Sequence, residues 1–521
     1  MQPSRAGVDQ SVHTTAVQPE STGKTYWIAI LLLVAAAFAI RLWCLACKPY
    51  WFDETFSVEV GRIDWRNFLH LLWWREANMS LYYVLLRLWL PFGQSPFFIR
   101  SLSVVFAAAT VPAMFWLGRL LYDKRVGLIA AALFAFNAYD VRYSQEARSY
   151  ALFVLLATLS SACLIRWLLR PSPRALRGYA AISILAAYAH FYALLLILAQ
   201  WIALWWQRRP DPSREREMLE QLRRAWILIG VGVLPLLIFV AKTGAGPIKW
   251  IQRPGLRELV VFYEHLAGGN TSLLLLMLGT ACIVAVYPLG NRIWARNQDW
   301  NVWRCQFLLV WLLFPVALTT VLSFARPVFL GRYMIFCLPA LLVLASAGIA
   351  RLRQSWQLGI AMLAVLSLSA QGTFFVYAHD FDNERDAAGA AVNFVLDHAQ
   401  PGDEIAFHIA ETRIPYEFFR SLRAGENTAS PAFNKPLGPE ILFPRHGQGL
   451  HYRDFTGKPT AEILRSVMPG HPRVWIVLMN NGPEGKPDPT TVMLTKTMPE
   501  FFPKLSSWKF PKVEVRLYSV Q

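Results

Sequence analysis

The sequence predicts a mainly helical, polytopic membrane protein that ends in an α/β domain on the outer side of the membrane. Of its 521 residues, 55% are hydrophobic and only 16% are charged, and the mean hydropathy is +0.33. Soluble domains rarely combine so much apolar with so little charged composition. Apolar runs recur through residues 26–377, whereas residues 378–521 are more polar and contain Pro/Gly turns.

The apolar runs predict about eleven transmembrane helices, because each approaches the length that crosses about 30 Å of hydrocarbon. The first run, 26–46, is longer than the core of a signal peptide and no small-residue cleavage site follows it promptly, so we expect an uncleaved signal-anchor. Residues 1–25 are polar and are expected to form a disordered cytoplasmic tail. The other expected spans are 100–118, 126–140, 149–169, 178–189, 191–206, 225–241, 271–289, 306–324, 333–349 and 358–377.

Lysine and arginine residues orient these spans. They concentrate in alternate connections, which the positive-inside rule assigns to the cytoplasm. The connections between them, and the domain 378–521, are therefore predicted to lie outside. The net charge of +17 is mostly this topology signal. Because no basic cluster lies on a soluble face, we expect no nucleic-acid partner.

Residues 47–99 are predicted to be one long external loop. Within it, residues 81–90 cover only about 15 Å as a helix, which is too short to cross the membrane. Their Trp and Tyr content favours a helix lying on the outer interface, and residues 64–74 are amphipathic at helical spacing. At the start of the loop, Cys44 and Cys47 form a C-x-x-C pair, which we expect to be small apolar helix residues and not a redox or metal site.

The C-terminal 140 or so residues suffice for a small α/β domain. A helical pattern over 384–398 precedes strand-like runs at 404–409, 474–478 and 513–518. The stretch 423–460 is predicted to be rich in loops.

Two adjacent acids, Asp53 and Glu54, are the first candidate for chemistry. A carboxylate at a membrane edge is costly and is rarely retained without a role. Burial raises a carboxyl pKa unless a cation offsets it, which suits a general base. Most acids in the membrane part lie at external helix ends, which argues against a proton pathway at the midplane and favours a chamber at the outer surface. Four aromatic residues flank the pair: Tyr50, Trp51, Phe52 and Phe56.

A second group lies in the external connection 140–150, where Arg142, Glu146 and Arg148 are within a turn or two of one another and Tyr143 lies in the same stretch. The arginine fork suits a phosphate or carboxylate, and Glu146 suits a sugar hydroxyl or an arginine. The alternative, a salt-bridge network that only fixes the loop, stays open.

A third group consists of external cations that run against the positive-inside trend. Arg326 and Arg332 in the connection 326–333 suit a bound anion, with snorkelling to lipid headgroups as the alternative. For Arg41, near the outer end of the first span, snorkelling is favoured. His190 lies at an external turn. It could bind a ligand, but histidines in such places more usually make structural hydrogen bonds.

Three stretches together resemble the polytopic lipid-phosphate-sugar glycosyltransferases of the C superfamily. They are 51–57 (Trp-Phe-Asp-Glu-Thr-Phe-Ser), 143–150 (Tyr-Ser-Gln-Glu-Ala-Arg-Ser-Tyr) and 327–333 (Pro-Val-Phe-Leu-Gly-Arg-Tyr), and the run 92–122 is also similar. The resemblance is to the family 39-like group, which includes protein O-mannosyltransferases and the aminoarabinose transferase of lipid A. It covers about residues 26–380.

The resemblance implies a membrane enzyme that takes a sugar from a polyprenyl-phosphate donor and inverts the anomeric centre on the outer face. It implies Asp53 as general base with Glu54 in support, and Arg148, Arg326 or Arg332 as ligands of the carrier phosphate. Some relatives bind a divalent cation, but no ligand spacing here decides its presence. The sugar and the acceptor stay open.

One stretch departs from the family pattern. The family often carries His/Lys-Pro-Pro-Leu before the interfacial helix, and here residues 78–83 read Asn-Met-Ser-Leu-Tyr-Tyr. The contact that the basic residue makes is therefore missing or reassigned.

Two other functions compete with sugar transfer. A transporter or flippase for a lipid or glycan is the first, although paired repeats and broken mid-membrane helices are not evident in the sequence. A scaffold without activity, with an external domain that binds a partner, is the second. Compact loops and the habit of the family lead us to expect a bacterial inner membrane.

Overall fold

The computed structural model describes residues 23–205, 212–243, 251–269, 272–290, 292, 299–378, 387–427, 438–447, 449–455, 457–479 and 487–520. Most of the predicted cytoplasmic tail lies outside these residues. Its last two residues, Lys24 and Thr25, belong to the first helix, so the helix begins slightly earlier than the apolar run.

Helices build residues 24–378. They are α1 (Lys24–Leu42), α2 (Phe52–Arg62), α3 (Trp65–Trp74), α4 (Ser80–Trp89), α5 (Pro96–Leu121), α6 (Lys124–Ala135), α7 (Ala138–Ser144), α8 (Tyr150–Leu169), α9 (Pro173–Ala189), α10 (Ala193–Trp205), α11 (Pro212–Thr243), α12 (Leu256–Ala267), α13 (Ser272–Val286), α14 (Trp300–Ala325), α15 (Leu338–Ile349) and α16 (Ser355–Ala378). Short 3-10 turns cover Leu90–Phe92, Tyr287–Leu289 and Gly331–Cys337.

Among the described residues, 8 helices are long and apolar enough to cross a membrane. The polytopic, mainly helical fold class is therefore confirmed, but the number of crossings stays a prediction. Three expected spans are shorter helices, namely α6, α9 and α10. The expected span 126–140 is interrupted because Asn137 caps a new helix, α7, by accepting a hydrogen bond from the backbone N–H of Asp140 at 3.0 Å.

Helix α5 is central to the membrane part and packs against α1, α6 and α8. Its contact with α6 depends on two glycines, because a Cβ atom on Gly118 would lie 2.7 Å from the Cα of Gly127. A larger residue at either place would force the helices apart. This packing fixes the helix from which Arg100 reaches the candidate site.

The predicted external loop contains three helices. The expected interfacial segment 81–90 is α4, and the amphipathic segment 64–74 is α3, which Asp64 caps through the backbone N–H groups of Arg66 and Asn67. Asp53 and Glu54 lie in the first turn of the remaining helix, α2.

The expectation for Cys44 and Cys47 was wrong. Helix α1 ends at Leu42, so the two cysteines lie in the turn beyond it and not in an apolar helix. The turn brings their Cα atoms to 5.0 Å, and the residues form a disulfide.

The C-terminal part is an α/β domain, as predicted. Its sheet has the order β2-β1-β3-β5-β4, in which β1 is parallel to β2 and β3, while β5 is antiparallel to β3 and β4. The strands are β1 (Glu404–His408), β2 (Glu440–Phe443), β3 (Arg473–Met479), β4 (Lys504–Phe510) and β5 (Val513–Ser519), and the helices are α17 (Ala387–His398), α18 (Arg413–Asn427), α19 (Ala461–Val467) and α20 (Pro489–Thr497).

The three expected strands correspond to β1, β3 and β5. The pattern missed β2 and β4, because β2 is only four residues long and β4 is largely exposed. The domain packs against the external loop. The ring pairs Tyr50–Phe418 and Phe56–Phe455 have centroids 4.6 and 5.4 Å apart, and polar contacts join Arg62 to Ser421 and Arg75 to Glu411.

Candidate active site

Asp53 is the carboxylate at which the predicted site residues meet. It lies in the first turn of α2, and its side chain keeps 24% of its surface exposed. A guanidinium nitrogen of Arg148 lies 3.5 Å from Oδ2, and one of Arg332 lies 3.6 Å from the same oxygen. The structure thus brings together three residues that are far apart in the sequence.

Glu54, the neighbour of Asp53, has a different environment. Its carboxylate is buried and accepts two hydrogen bonds from Arg100, at 2.9 and 2.8 Å. It also accepts the backbone N–H of Ala147 at 2.9 Å. Glu54 therefore holds the turn that presents Arg148, and its oxygens already have partners.

Arg100 is a residue that the sequence analysis did not single out as functional. Besides Glu54, it donates to the backbone carbonyls of Leu45, Lys48 and Pro49 at 2.9 to 3.1 Å. It thereby joins α5 to the segment that leads into α2. The signals in the sequence were a charge at the edge of the expected span 100–118 and the family resemblance of the run 92–122, and neither indicates Glu54 as the partner.

Arg148 is fixed from several directions. Its carbonyl accepts a hydrogen bond from Ser103 Oγ at 3.3 Å, and its guanidinium donates to the carbonyl of Asp53 at 3.3 Å and to Ser57 Oγ at 3.4 Å. The side chain is only 8% exposed. A buried arginine held on three sides is preorganised for an anion.

Arg332 comes from the connection 326–333, far along the chain from Asp53. It lies in the 3-10 turn after α14, with its guanidinium 5.3 Å from the ring centre of Trp51 and 5.6 Å from that of Tyr333. The preceding loop is held by Ser323 Oγ, which accepts the backbone N–H groups of Val328 and Phe329 at 3.0 Å each. Aromatic faces support the cation without neutralising it.

Tyr143 belongs to an aromatic wall beside these charges. Its ring packs edge-on against Tyr139 and Tyr150, with centroids 4.9 and 5.0 Å apart. The Tyr150 hydroxyl is buried and has no hydrogen-bond partner among the described residues. Such a group is available to a bound molecule.

His190 is buried behind the same wall. Its ring stacks on Phe153 at 5.1 Å and meets Tyr333 at 4.8 Å. Nδ1 accepts the backbone N–H of Tyr192 at 3.2 Å, which makes Nε2 the protonated nitrogen. Burial, followed by Arg148 and Arg332, lowers the pKa of His190 to about 3, so the ring is a neutral donor at ordinary pH.

Glu76 is a second carboxyl group near Asp53 and Arg148. It was not predicted as a site residue. It lies in the turn between α3 and α4. Burial raises its pKa to about 7, the Asp53 and Glu411 carboxylates add to this rise, and Arg148 and Arg75 oppose it. Its sequence position among other external acids gave no reason to prefer it.

Three predicted residues do not meet Asp53 in the described part of the chain. Arg41 is fully buried and pairs with Asp140 at 2.8 Å, while it also donates to carbonyls of α1 and α6. Arg326 is exposed at the end of α14. Glu146 is buried, and its carbonyl accepts the N–H of Arg148 at 2.8 Å. Arg41 therefore joins helices inside the protein and does not snorkel.

The stretch 78–83, which departs from the family pattern, joins the external loop to the His190 turn. Asn78 Oδ1 accepts the backbone N–H of Phe191 at 3.0 Å, and Ser80 Oγ donates to the carbonyl of Tyr188 at 3.4 Å. The stretch is thus reassigned to structural contacts at the back of the site.

No group of three or more His, Cys, Asp and Glu side chains in the described residues has the arrangement of a metal site. The ion-pair partners of the Asp53 carboxylate are two arginines, which are not metal ligands, and Glu76 is a further carboxyl near them. The described residues around Asp53 therefore do not make the ligand set of a bound cation.

The architecture of the chain is similar to that of two solved structures of ArnT. ArnT from Cupriavidus metallidurans in the apo state is 11% identical, with a TM-score of 0.56 over 95% of this chain and 98% of its own. The same protein bound to undecaprenyl phosphate is 12% identical, with a TM-score of 0.53 over 95% of this chain and 98% of its own. The chain has the fold of ArnT.

A third structure with a similar fold is more distant. The Archaeoglobus fulgidus oligosaccharyltransferase, solved with Zn and sulfate, is 9% identical with a TM-score of 0.50, over 75% of this chain and 61% of its own. No family model matches the sequence, and no curated protein matches it either. At these identities the comparisons establish the fold alone.

Proposed function

We propose that the protein is an inverting membrane glycosyltransferase that moves a sugar from a polyprenyl-phosphate carrier to an acceptor on the outer face of the membrane. The observation that carries this proposal is the open Asp53 carboxylate, which faces Arg148 and Arg332 at 3.5 and 3.6 Å. A base and two phosphate ligands in one place are what this transfer requires.

The reaction follows from the roles of these three residues. Asp53 accepts the proton of an acceptor hydroxyl as its oxygen attacks the anomeric carbon. The bond between that carbon and the phosphate oxygen breaks, and its electron pair leaves with the carrier phosphate. Arg148 and Arg332 bind the phosphate and stabilise the charge that develops on it. A single displacement from the face opposite the phosphate inverts the anomeric centre.

Glu54 and Arg100 act one step away from the reaction. They hold the 146–149 turn, so they position Arg148 and touch neither substrate. The Tyr150 hydroxyl and the Nε2 donor of His190 are both buried without a hydrogen-bond partner among the described residues, so they suit the sugar or phosphate oxygens. The ArnT structure with undecaprenyl phosphate supports a lipid-linked donor, because it shows that this fold accommodates one.

The side of the membrane is supported by the disulfide between Cys44 and Cys47. Disulfides persist in oxidising compartments such as the periplasm and are rare in the cytosol. The pair lies just before α2, on the same side as Asp53. This agrees with the positive-inside charge pattern, which also puts the loop 47–99 and the C-terminal domain outside.

A transfer assay tests the proposal. Purified wild type and Asp53→Asn are incubated with a panel of polyprenyl-phosphate sugars and candidate acceptors, and product and freed carrier phosphate are both measured. We expect transfer by the wild type only. Equal turnover by both proteins would sink the mechanism. Movement of a lipid-linked sugar across liposomes without any transfer in detergent would instead support a flippase.

A further inference from the structure

A polar cavity of about 460 Å³ lies in the seam between the external loop and the C-terminal domain. Glu59 and Arg62 of α2 form one wall, and α18, β2 and the segment after β2 form the other. The volume is in the range of small-molecule sites, although such sites are mostly apolar. The lining indicates a strongly polar occupant.

The framework of this cavity is rigid. Arg413 is 2% exposed and donates to Glu417 at 2.8 Å, to Asp454 at 2.8 Å and to the carbonyl of Pro444. Across the seam, Arg62 donates to Glu59 at 2.6 Å and to Ser421 at 2.9 Å. The side chains in these pairs already hydrogen-bond one another. They therefore shape the cavity, and other residues recognise its ligand.

Two further arginines at the cavity are not held in this way. No hydrogen bond or ion pair joins the Arg420 side chain to a residue in the part of the chain that the structure describes. Arg445 donates to the carbonyl of Ile441 at 3.4 Å and reaches Glu440 only at 3.7 Å, and the side chains of Arg445 and Glu440 are 48% and 68% exposed. Such a pair contributes little and opens readily. Arg420 and Arg445 therefore offer planar donors to a carboxylate or phosphate.

The cavity is separate from the reacting centre. Arg62 follows Asp53 by two and a half turns of α2, which places it about 14 Å along the helix and on the opposite face. A ligand in the seam would not touch the Asp53 carboxylate. It would instead bridge the external loop and the C-terminal domain.

We propose that this cavity binds an acidic saccharide, which is the charged part of the acceptor. Arg420 and Arg445 bind its acidic group, while Glu417 and Glu440 accept hydrogen bonds from its hydroxyls. The assignment to the acceptor rests on the proposed function, whereas the binding itself does not. By bridging the seam, this charged part anchors the acceptor on the domain, and a hydroxyl on a more distant part of the acceptor, about 14 Å along α2, reaches Asp53.

Binding to the full-length protein in nanodiscs tests this proposal. The probes are trigalacturonate, glucose 6-phosphate and the neutral maltotriose, measured by saturation-transfer NMR and titration. We expect the acidic probes to bind and to weaken as salt increases, with their ratio identifying carboxylate or phosphate as the preferred group. Arg420→Gln/Arg445→Gln should weaken them at least about tenfold, because charge-assisted hydrogen bonds are lost.

Arg423→Gln is the matched control, because it is on the same helix but donates to Asp397 and Asn393 outside the cavity. It should bind like the wild type. Equal affinity for maltotriose, no binding of any acidic probe at millimolar concentration, or an unaffected double variant would each overturn the proposal.

The two proposals fail separately. Asp53→Asn should retain the binding of acidic probes while losing transfer. If transfer depends on Asp53 but no acidic probe binds, the seam site is wrong and the enzyme stands. If acidic probes bind through Arg420 and Arg445 but no sugar is ever transferred, the enzyme is wrong and the acceptor assignment falls with it.

Discussion

The two adjacent acids of α2, Asp53 and Glu54, lie in two different regions of the molecule. Around Asp53 the contacts are open, with arginine nitrogens at 3.5 and 3.6 Å and a quarter of the side chain exposed. Around Glu54 they are closed, with Arg100 at 2.8 and 2.9 Å and both side chains at most 2% exposed. We refer to these regions as the open cluster and the closed cluster.

The difference separates chemistry from support. In the closed cluster every oxygen of Glu54 has a partner, and removing one partner would leave a buried charge. In the open cluster the arginine nitrogens lie 3.5 and 3.6 Å from Asp53, so the arginines stay in place while the partly exposed carboxylate can turn to a substrate. Asp53 and Glu54 are both acidic and adjacent, but Asp53 is placed for chemistry and Glu54 for structural support.

The largest expected effect is the loss of transfer in Asp53→Asn. Removing a general base costs about 10²- to 10⁴-fold in rate, while an amide of the same shape should leave folding intact. Initial rates of sugar transfer and thermal unfolding measure the two. Asp64→Asn is the control in the same loop, because asparagine also caps α3. Loss of both activity and folding would put Asp53 in the same class as Glu54.

Substitutions in the closed cluster should lower the stability of the folded protein. Arg100→Leu leaves the buried Glu54 carboxylate without its cation, which should cost about 3 to 5 kcal/mol. Denaturation of the detergent-solubilised protein, followed by size-exclusion chromatography, measures this loss. The double change Arg100→Leu/Glu54→Leu should recover part of it. A single variant as stable as the wild type would contradict the structural role of the cluster.

The phosphate ligands of the open cluster should affect transfer with little effect on folding. Arg332→Gln removes a donor to the leaving phosphate, which should slow transfer by about 10²- to 10³-fold. Arg326→Gln, in the same external connection but exposed and outside the cluster, should transfer like the wild type. If the two variants lose activity equally, the phosphate site has been placed wrongly.

The smallest effect should come from Glu76, at the edge of the open cluster. Its folded pKa is raised to about 7 from an ordinary value of 4.5, mainly by burial. The stability that it contributes is present below pH 4.5 and is lost as the pH rises through 7. Glu76→Gln should therefore raise the melting temperature at pH 8 and leave it nearly unchanged at pH 4.5. A difference that does not change with pH would show that the carboxyl is not desolvated.

Some of this comparison was predictable from local sequence. Acids beside aromatics at the end of an apolar run pointed to Asp53 and Glu54, but the pattern could not rank them. The ranking depends on helical geometry, which turns consecutive side chains about 100° apart and directs only one of them to Arg100. Arg41 shows the same limit, since only tertiary contact reveals its partner Asp140.

The sequence by itself determined the mainly helical membrane class, the helical segments within residues 47–99 and the α/β character of the C-terminal domain. These features depend on composition and periodicity, both of which act over short stretches of chain. The tertiary structure alone decided which arginines meet Asp53, that Cys44 and Cys47 form a disulfide, and that a charged cavity opens in the seam. Those features join residues tens to hundreds of positions apart, or depend on where a helix ends, and only packing sets such contacts.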